Sequence, residues 1–294
     1  MPRPDRLKQA EVHDSKALKT IKNKLPKVKL IRLHEVLEIV QATIWTGRLS
    51  GENPVSLCLV ATQESAKSQC LLYFYDTPTL KYFSDITTKP LTSFRHQIET
   101  KQMRHLVLLD LVQVMNHGKG VAARTLQRLG GMMEEGQAAT ADAGGIEEWK
   151  GMPKIGVMMA LTTDYFVDNR TRWYKSGFIT RFLRVWFDYS DDTVQHIHRA
   201  IADGTMLPEP QREMLPEDCQ LITLKDEQAM AIEALATSYA EKDSNIYGFR
   251  YHRQQRALAK ALALLDGRHE VDDSDIRKLT SWQPFFTGLK PVTL

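Results

Sequence analysis

The stretch Ala61-Thr62-Gln63-Glu64-Ser65-Ala66-Lys67-Ser68 follows directly on Val55–Val60, a short, largely apolar run that reads as a buried strand. Its frame is that of a phosphate-binding loop, G-x-x-x-x-G-K-[ST], with alanine at both glycine positions. Such a loop needs backbone amides and the start of a helix facing the phosphates. It also needs a lysine to reach the terminal phosphates and a hydroxyl to hold a metal ion. Lys67 and Ser68 stand where those two roles require, and Glu64, Ser65 and Gln69 complete the segment that would line the ligand. If position 66 needs a positive φ, a Cβ there costs about 1–2 kcal/mol. Ala61 likewise lacks the freedom of glycine at the first tight turn.

Working outward, His105–Leu111 (HLVLLDL) is the most apolar short run of the chain and predicts a central parallel strand. It runs into Asp110. An acid at the carboxyl end of a strand beside the loop's strand can hold Mg²⁺ through water, together with the Ser68 hydroxyl. The other reading of Asp110 is a cap for the next turn. Leu111 follows it, where many nucleotide hydrolases carry a glutamate that polarises the attacking water. Hydrolysis is then slow, or Glu134 or Glu135 reaches in, or nucleotide acts mainly as a switch. A third run, Ile155–Leu161, ends in Thr162-Thr163-Asp164, where a hydroxyl could sense the outermost phosphate. Ser176-Gly-Phe-Ile-Thr-Arg181-Phe-Leu-Arg184 then leads into the fourth run, Val185–Phe187.

Helical spacing appears over Leu33–Trp45, Ser65–Phe74, Thr92–Lys101, Val121–Glu135 and Arg250–Asp266. Strands alternating with such segments predict a parallel α/β sheet covered by helices on both faces. From Ser190 onward the pattern is purely helical, with Ser190, Thr223 and Asp272 or Asp273 as N-caps. The prolines at 208, 210 and 216 suggest a linker. The expected organisation is a basic arm over 1–30, an α/β domain over 31–206 and a smaller all-helical domain over 207–294. Gly136–Gly151 reads as a hairpin or loop between helix and strand.

The chain has 294 residues, 43% hydrophobic and 26% charged, which excludes a wholly disordered or fibrous protein. It shows no membrane-spanning run and no secretory leader, and three cysteines make no disulfide framework, so a cytoplasmic setting is expected. Net charge is +3, yet residues 1–30 carry nine basic side chains against three acids. That arm, with Lys19, Lys22, Lys24, Lys27 and Lys29, suggests an acidic polymer such as nucleic acid, or else a solvated leader.

The order of degenerate phosphate loop, strand with Asp110, Thr-bearing strand and Gly-Phe-x-x-Arg-Phe resembles AAA+ ATPases. It is most similar to the minichromosome-maintenance helicase branch. Arg250-Tyr-His-Arg253-Gln-Gln-Arg256 and Val271-x-x-x-Asp275-Ile276 look like that branch's helical lid. The resemblance implies ATP and Mg²⁺ as ligands, with Thr162 or Thr163 as sensor 1 and Arg181 as an arginine finger acting on a neighbouring subunit. Arg184 is the fallback finger, and Arg250 or Arg253 would be sensor 2. It further implies assembly into a ring or filament that acts on DNA as a helicase or remodelling motor, in a phage or mobile-element setting. Lys150 and Lys154 would lie by a DNA-facing hairpin. The alternative is a catalytically weak scaffold or adaptor, gated by nucleotide, that serves a partner protein.

Overall fold

β1 (Ser56–Ala61) is buried at every residue, and its side chains divide between two cores. Leu57 and Leu59 join one, Cys58 and Val60 the other. A strand with apolar side chains on both faces belongs inside a sheet covered on both sides. The structure, a computed structural model, describes residues 30–87, 93–136, 139–142, 145–205, 211–242, 247–287 and 291–294. In it β1 pairs in parallel with β6 (Gly156–Thr162) on one side and β7 (Phe182–Asp188) on the other. β3 (His105–Leu108) lies outside β6, and β2 (Leu80–Phe83) outside β3. β8 (Val292–Thr293) adds a short strand beyond β7. The order is β2-β3-β6-β1-β7-β8, with every pairing parallel. The strand leading to Asp110 was expected beside the loop strand; instead β6 lies between them.

One face of the sheet, with Leu57 and Leu59, is covered by α1 (His34–Thr46), α2 (Lys67–Leu72) and three C-terminal helices. These are α8 (Asp226–Lys242), α9 (Phe249–Leu265) and α10 (Asp273–Phe286). The other face carries α3 (Arg95–Glu99), α4 (Leu111–Asn116), α5 (Lys119–Glu134) and α6 (Thr163–Lys175). α7 (Asp191–Ala202) leaves the end of β7 and buries only Thr193. Ser190 caps it, accepting from Thr193 N at 3.2 Å. Asp272 caps α10 in a reciprocal pair with Asp275. Thr223 caps nothing, because α8 opens at Asp226 and Thr223 pairs with Glu270 in an isolated bridge.

Pro208 and Pro210 of the expected linker lie outside the described residues. From Gln211 the chain is a strap laid over α1 and α2. Gln211 N donates to Tyr73 O at 2.5 Å. The Glu213 carboxylate, 1% exposed, accepts from Gln41 Nε2 at 3.0 Å and Trp45 Nε1 at 2.7 Å. One continuous apolar core then joins α8, α9 and α10 to α1 and the sheet. Glu52, just before β1, ties α9 down through Arg256 (2.9 Å) and Lys260 (2.7 Å).

Between α5 and β6 stands the expected hairpin, β4 (Ala139–Asp142) antiparallel to β5 (Gly145–Glu148). Gly136 opens it at φ +79°, where a Cβ would lie 2.2 Å from Met152 O. Trp149, Trp173 and Trp186 are all buried packing residues. Among the described residues no helix is long and apolar enough to cross a membrane.

His105, at the start of β3, is fully buried with Nε2 3.2 Å from Val55 O and the ring against Gly156. Burial, helped by the Arg104 charge, pushes its pKa down to about 3. The unfolded chain, at about 6.5, therefore takes up the proton first. The stability due to neutral His105 is complete above about pH 6.5 and is lost as pH falls towards 3, by up to about 1.4 kcal/mol per unit. Urea unfolding at pH 7 and 5 should show this loss, with a smaller loss in His105→Gln. Equal losses would mean that the ring titrates freely in the folded protein.

Candidate functional site

Ala61 ends β1 opposite Thr162 of β6, and the loop turns from there. Glu64 (φ +61°) and Ala66 (φ +57°, ψ 18°) both hold left-handed backbone. Each Cβ costs about 1–2 kcal/mol there. Such conformations persist only where neighbours over-determine them. Here Ser65 Oγ donates to Thr62 O at 2.8 Å, and Tyr189 OH donates to Ser65 O at 3.1 Å. The Thr62 hydroxyl donates to Asp188. Lys67 folds over the loop, its ammonium donating to Thr62 O and to Ser65 Oγ, the latter at 3.0 Å. Only 8% of Lys67 is exposed; burial pulls its pKa below the usual lysine value, against the opposing charge of Asp188. Ser68 is half-buried in the first turn of α2, with Gln69 and Glu64 exposed beside it.

Asp110 stands two residues past the end of β3, and its Oδ1 accepts from Val112 N at 2.8 Å. The capping reading is therefore met. The carboxylate is half-buried at the same sheet edge as the loop, near Tyr165, whose hydroxyl is pushed up by burial and then by the Asp110 charge. Leu111 is fully buried, so the position of the missing glutamate faces core. Thr162, beside Ala61, caps α6 by accepting from Tyr165 N at 3.3 Å, and Thr163 is the first residue of that helix. Carboxylate and hydroxyl oxygens are the donors Mg²⁺ prefers, so Asp110 and Ser68 fit that ion. Asp188 and Tyr189 belong to this edge and were not anticipated. Their signal was present, since Val185-Trp186-Phe187-Asp188 repeats the pattern of an apolar run ending in an acid.

The remaining candidates gather at the opposite edge. β1 and β7 run parallel with Ser56 opposite Phe182, so Arg181 precedes its strand where Lys67 follows its own. About 16 Å of strand separates the two levels. Arg181 donates to Gly177 O at 2.6 Å and to Glu135 at 3.3 Å. Arg250 meets Glu134 at 2.8 Å and Thr180 Oγ1 at 3.0 Å, and Arg253 meets Glu134 at 2.5 Å. All three arginines line one hollow, so Arg250 and Arg253 sit with the finger candidate and away from the loop after β1. Glu134 and Glu135, offered above as acids for the loop, are bound in these pairs at the far edge. Arg184 is buried on β7 between the hydroxyls of Tyr174 and Tyr239, which removes it as a surface finger. Lys150 is exposed just past the hairpin, its backbone N donating to Glu99 at 2.9 Å; Lys154 is half-buried, its carbonyl 3.5 Å from Arg104. Lys19, Lys22, Lys24, Lys27 and Lys29 lie outside the described residues.

No family model matches this chain, and no curated protein matches it in sequence. Its structure is similar to a crystal structure from Cytophaga hutchinsonii described as a candidate ATPase, with a TM-score of 0.51 and 12% identity. The match covers 98% of this chain and 91% of that one. At that identity the likeness is one of fold, and the parallel α/β sheet flanked by helices that an AAA+ resemblance implies is the fold observed.

If the left-handed backbone at Ala66 is strained, Ala66→Gly should stabilise the protein. Relief of about 1–2 kcal/mol, less about 0.5–1 kcal/mol for glycine's extra freedom when unfolded, leaves a gain of up to about 1 kcal/mol. Thermal unfolding should shift up by about 2–4 °C per kcal/mol for a chain of this size. A lower midpoint would show that Ala66 is not under strain.

Proposed function

We propose that the protein is an ATP-binding AAA+ ATPase that assembles with copies of itself and acts on DNA. The observation that carries this reading is the loop after the central strand, which keeps left-handed backbone at Glu64 and Ala66 and places Lys67 and Ser68 behind it. Ala61, Glu64, Ser65, Ala66, Lys67, Ser68 and Gln69 would cradle the phosphates; Ser68 and Asp110 would hold Mg²⁺, which supplies charge neutralisation when bound. Thr163, or Thr162 beside the loop, would sense the outer phosphate. The buried Leu111 leaves no acid next to Asp110 to polarise water. That favours slow hydrolysis and a nucleotide-gated assembly, the property a scaffold for a partner protein would also use.

Lys67→Ala should abolish ATP binding, measured by equilibrium fluorescence with a labelled analogue. Loss of its two hydrogen bonds should cost about 1–3 kcal/mol of stability without unfolding the chain. Equal affinity for the variant and the parent would sink the phosphate-loop assignment.

The placement of the arginines supports self-assembly. Arg181, Arg250 and Arg253 cannot reach the loop of their own subunit across the sheet, but a head-to-tail neighbour brings the two edges together. Arg181→Ala should then keep ATP binding and lose ATP-dependent assembly. A mixture with Lys67→Ala subunits should recover part of it, because each retains the half-site the other lacks. No recovery would rule out the arrangement in trans.

DNA enters through the basic arm and through Lys150 and Lys154. Contacts to phosphate make binding fall with salt at a slope of about −0.9 per contact on duplex DNA. Deleting residues 2–30 should flatten that slope, and an unchanged titration would assign the arm another purpose.

A further inference from the structure

Beside the arginine hollow lies a second cavity, of about 430 Å³, between the end of α6, the start of β7 and the start of α9. Arg250 and Arg253 line both. At the mouth of the second stand Tyr247 and Phe249, 88% and 73% exposed, with rings stacked at 5.8 Å and 21°. Tyr239 and Tyr251, which also line the cavity, stack at 3.8 Å, with the buried Arg184 guanidinium over the Tyr239 ring at 5.8 Å. No carboxylate is among the described lining residues.

Two large rings held parallel in water form a platform for another flat ring, since stacking tolerates any planar partner with a π face. The volume suits a nucleoside. Next to the platform, in the same groove, are the guanidinium groups that phosphate oxygens pair with best. A ligand with a flat ring at one end and phosphates at the other matches both parts. It cannot be the nucleotide on this subunit's own loop, which lies at the other edge of the sheet.

We propose that this cavity receives the base of the nucleotide held on the neighbouring copy's phosphate loop, with the outer face of the Tyr247–Phe249 stack against it while Arg181, Arg250 and Arg253 meet its phosphates. The inference rests on the assembly reading above and adds base recognition to it. Assembly then depends on the identity of the base, and purines, with the larger π surface, drive it best.

The test measures the ligand concentration that gives half-maximal assembly by sedimentation, with ATP, CTP and inorganic tripolyphosphate. Wild type should need the least ATP, more CTP and the most tripolyphosphate. In Tyr247→Ala/Phe249→Ala the ATP requirement should rise about ten-fold or more, in line with the loss of one stacked base, while that for tripolyphosphate stays put. The same pair of changes in Arg181→Ala, which stays dispersed, should leave ATP affinity unaltered. Unchanged ATP-driven assembly in the double variant overturns the inference and leaves the assembly reading standing. An equal loss with tripolyphosphate overturns it too, since the rings would then touch protein. So does weaker ATP binding by the dispersed chain, which would put the base in the same subunit. If wild type shows no nucleotide-dependent assembly, the assembly reading falls and the inference falls with it.

Discussion

A parallel sheet has two chemically different ends, and this chain is organised by that polarity. Because β1, β3, β6 and β7 all run the same way, whatever follows a strand collects at one edge and whatever precedes a strand at the other. The loop after β1, Asp110 after β3, Thr162 at the end of β6 and Asp188 at the end of β7 therefore meet. Arg181, which precedes β7, cannot join them. Ladder hydrogen bonds and two apolar cores hold the strands in register, so no side-chain rotation closes a gap of this size. The fold thus divides the candidate residues between two edges of the sheet, with Lys67, Ser68 and Asp110 at one and Arg181, Arg250 and Arg253 at the other.

The same rigidity explains how the loop does without glycine. Left-handed backbone at Glu64 and Ala66 together stores about 2–4 kcal/mol. Against this stand the bonds of Ser65, Lys67, Tyr189 and Thr62, each worth about 0.5–1.5 kcal/mol, and the charged ones more. The two sums are of similar size. The loop is held by residues of β7's end as much as by its own, so β7 both supports the loop and carries, at its start, the arginine that faces the other way.

Much of this was legible in the sequence. The four apolar runs became β1, β3, β6 and β7, because buried parallel strands leave a signal that needs no partner to be read. Asp272 and Ser190 act as caps, since capping is local. The order of strands is not local, and nothing in His105–Leu108 tells that β6 would insert beside β1. β8 is two residues long and has no pattern of its own. Glu213 is drawn inward by Trp45 and Gln41, more than 160 residues away, and no local pattern announces that. The position of Arg250 and Arg253 was likewise hidden, because it depends on which face of the sheet α9 packs against.

Glu134 is where these constraints converge. It ends α5, and one carboxylate serves both Arg250 and Arg253. Glu134 is partly buried, but Arg250 and Arg253 are 38% and 50% exposed, so solvent screens both bridges and each holds its arginine only weakly. A phosphate chain offers more oxygens and more charge than one carboxylate and can displace it. The arginines are thus held in place near Arg181 by one shared carboxylate. An arginine kept ordered by a weak partner loses less side-chain freedom on binding a strong one than an arginine loose in solvent would.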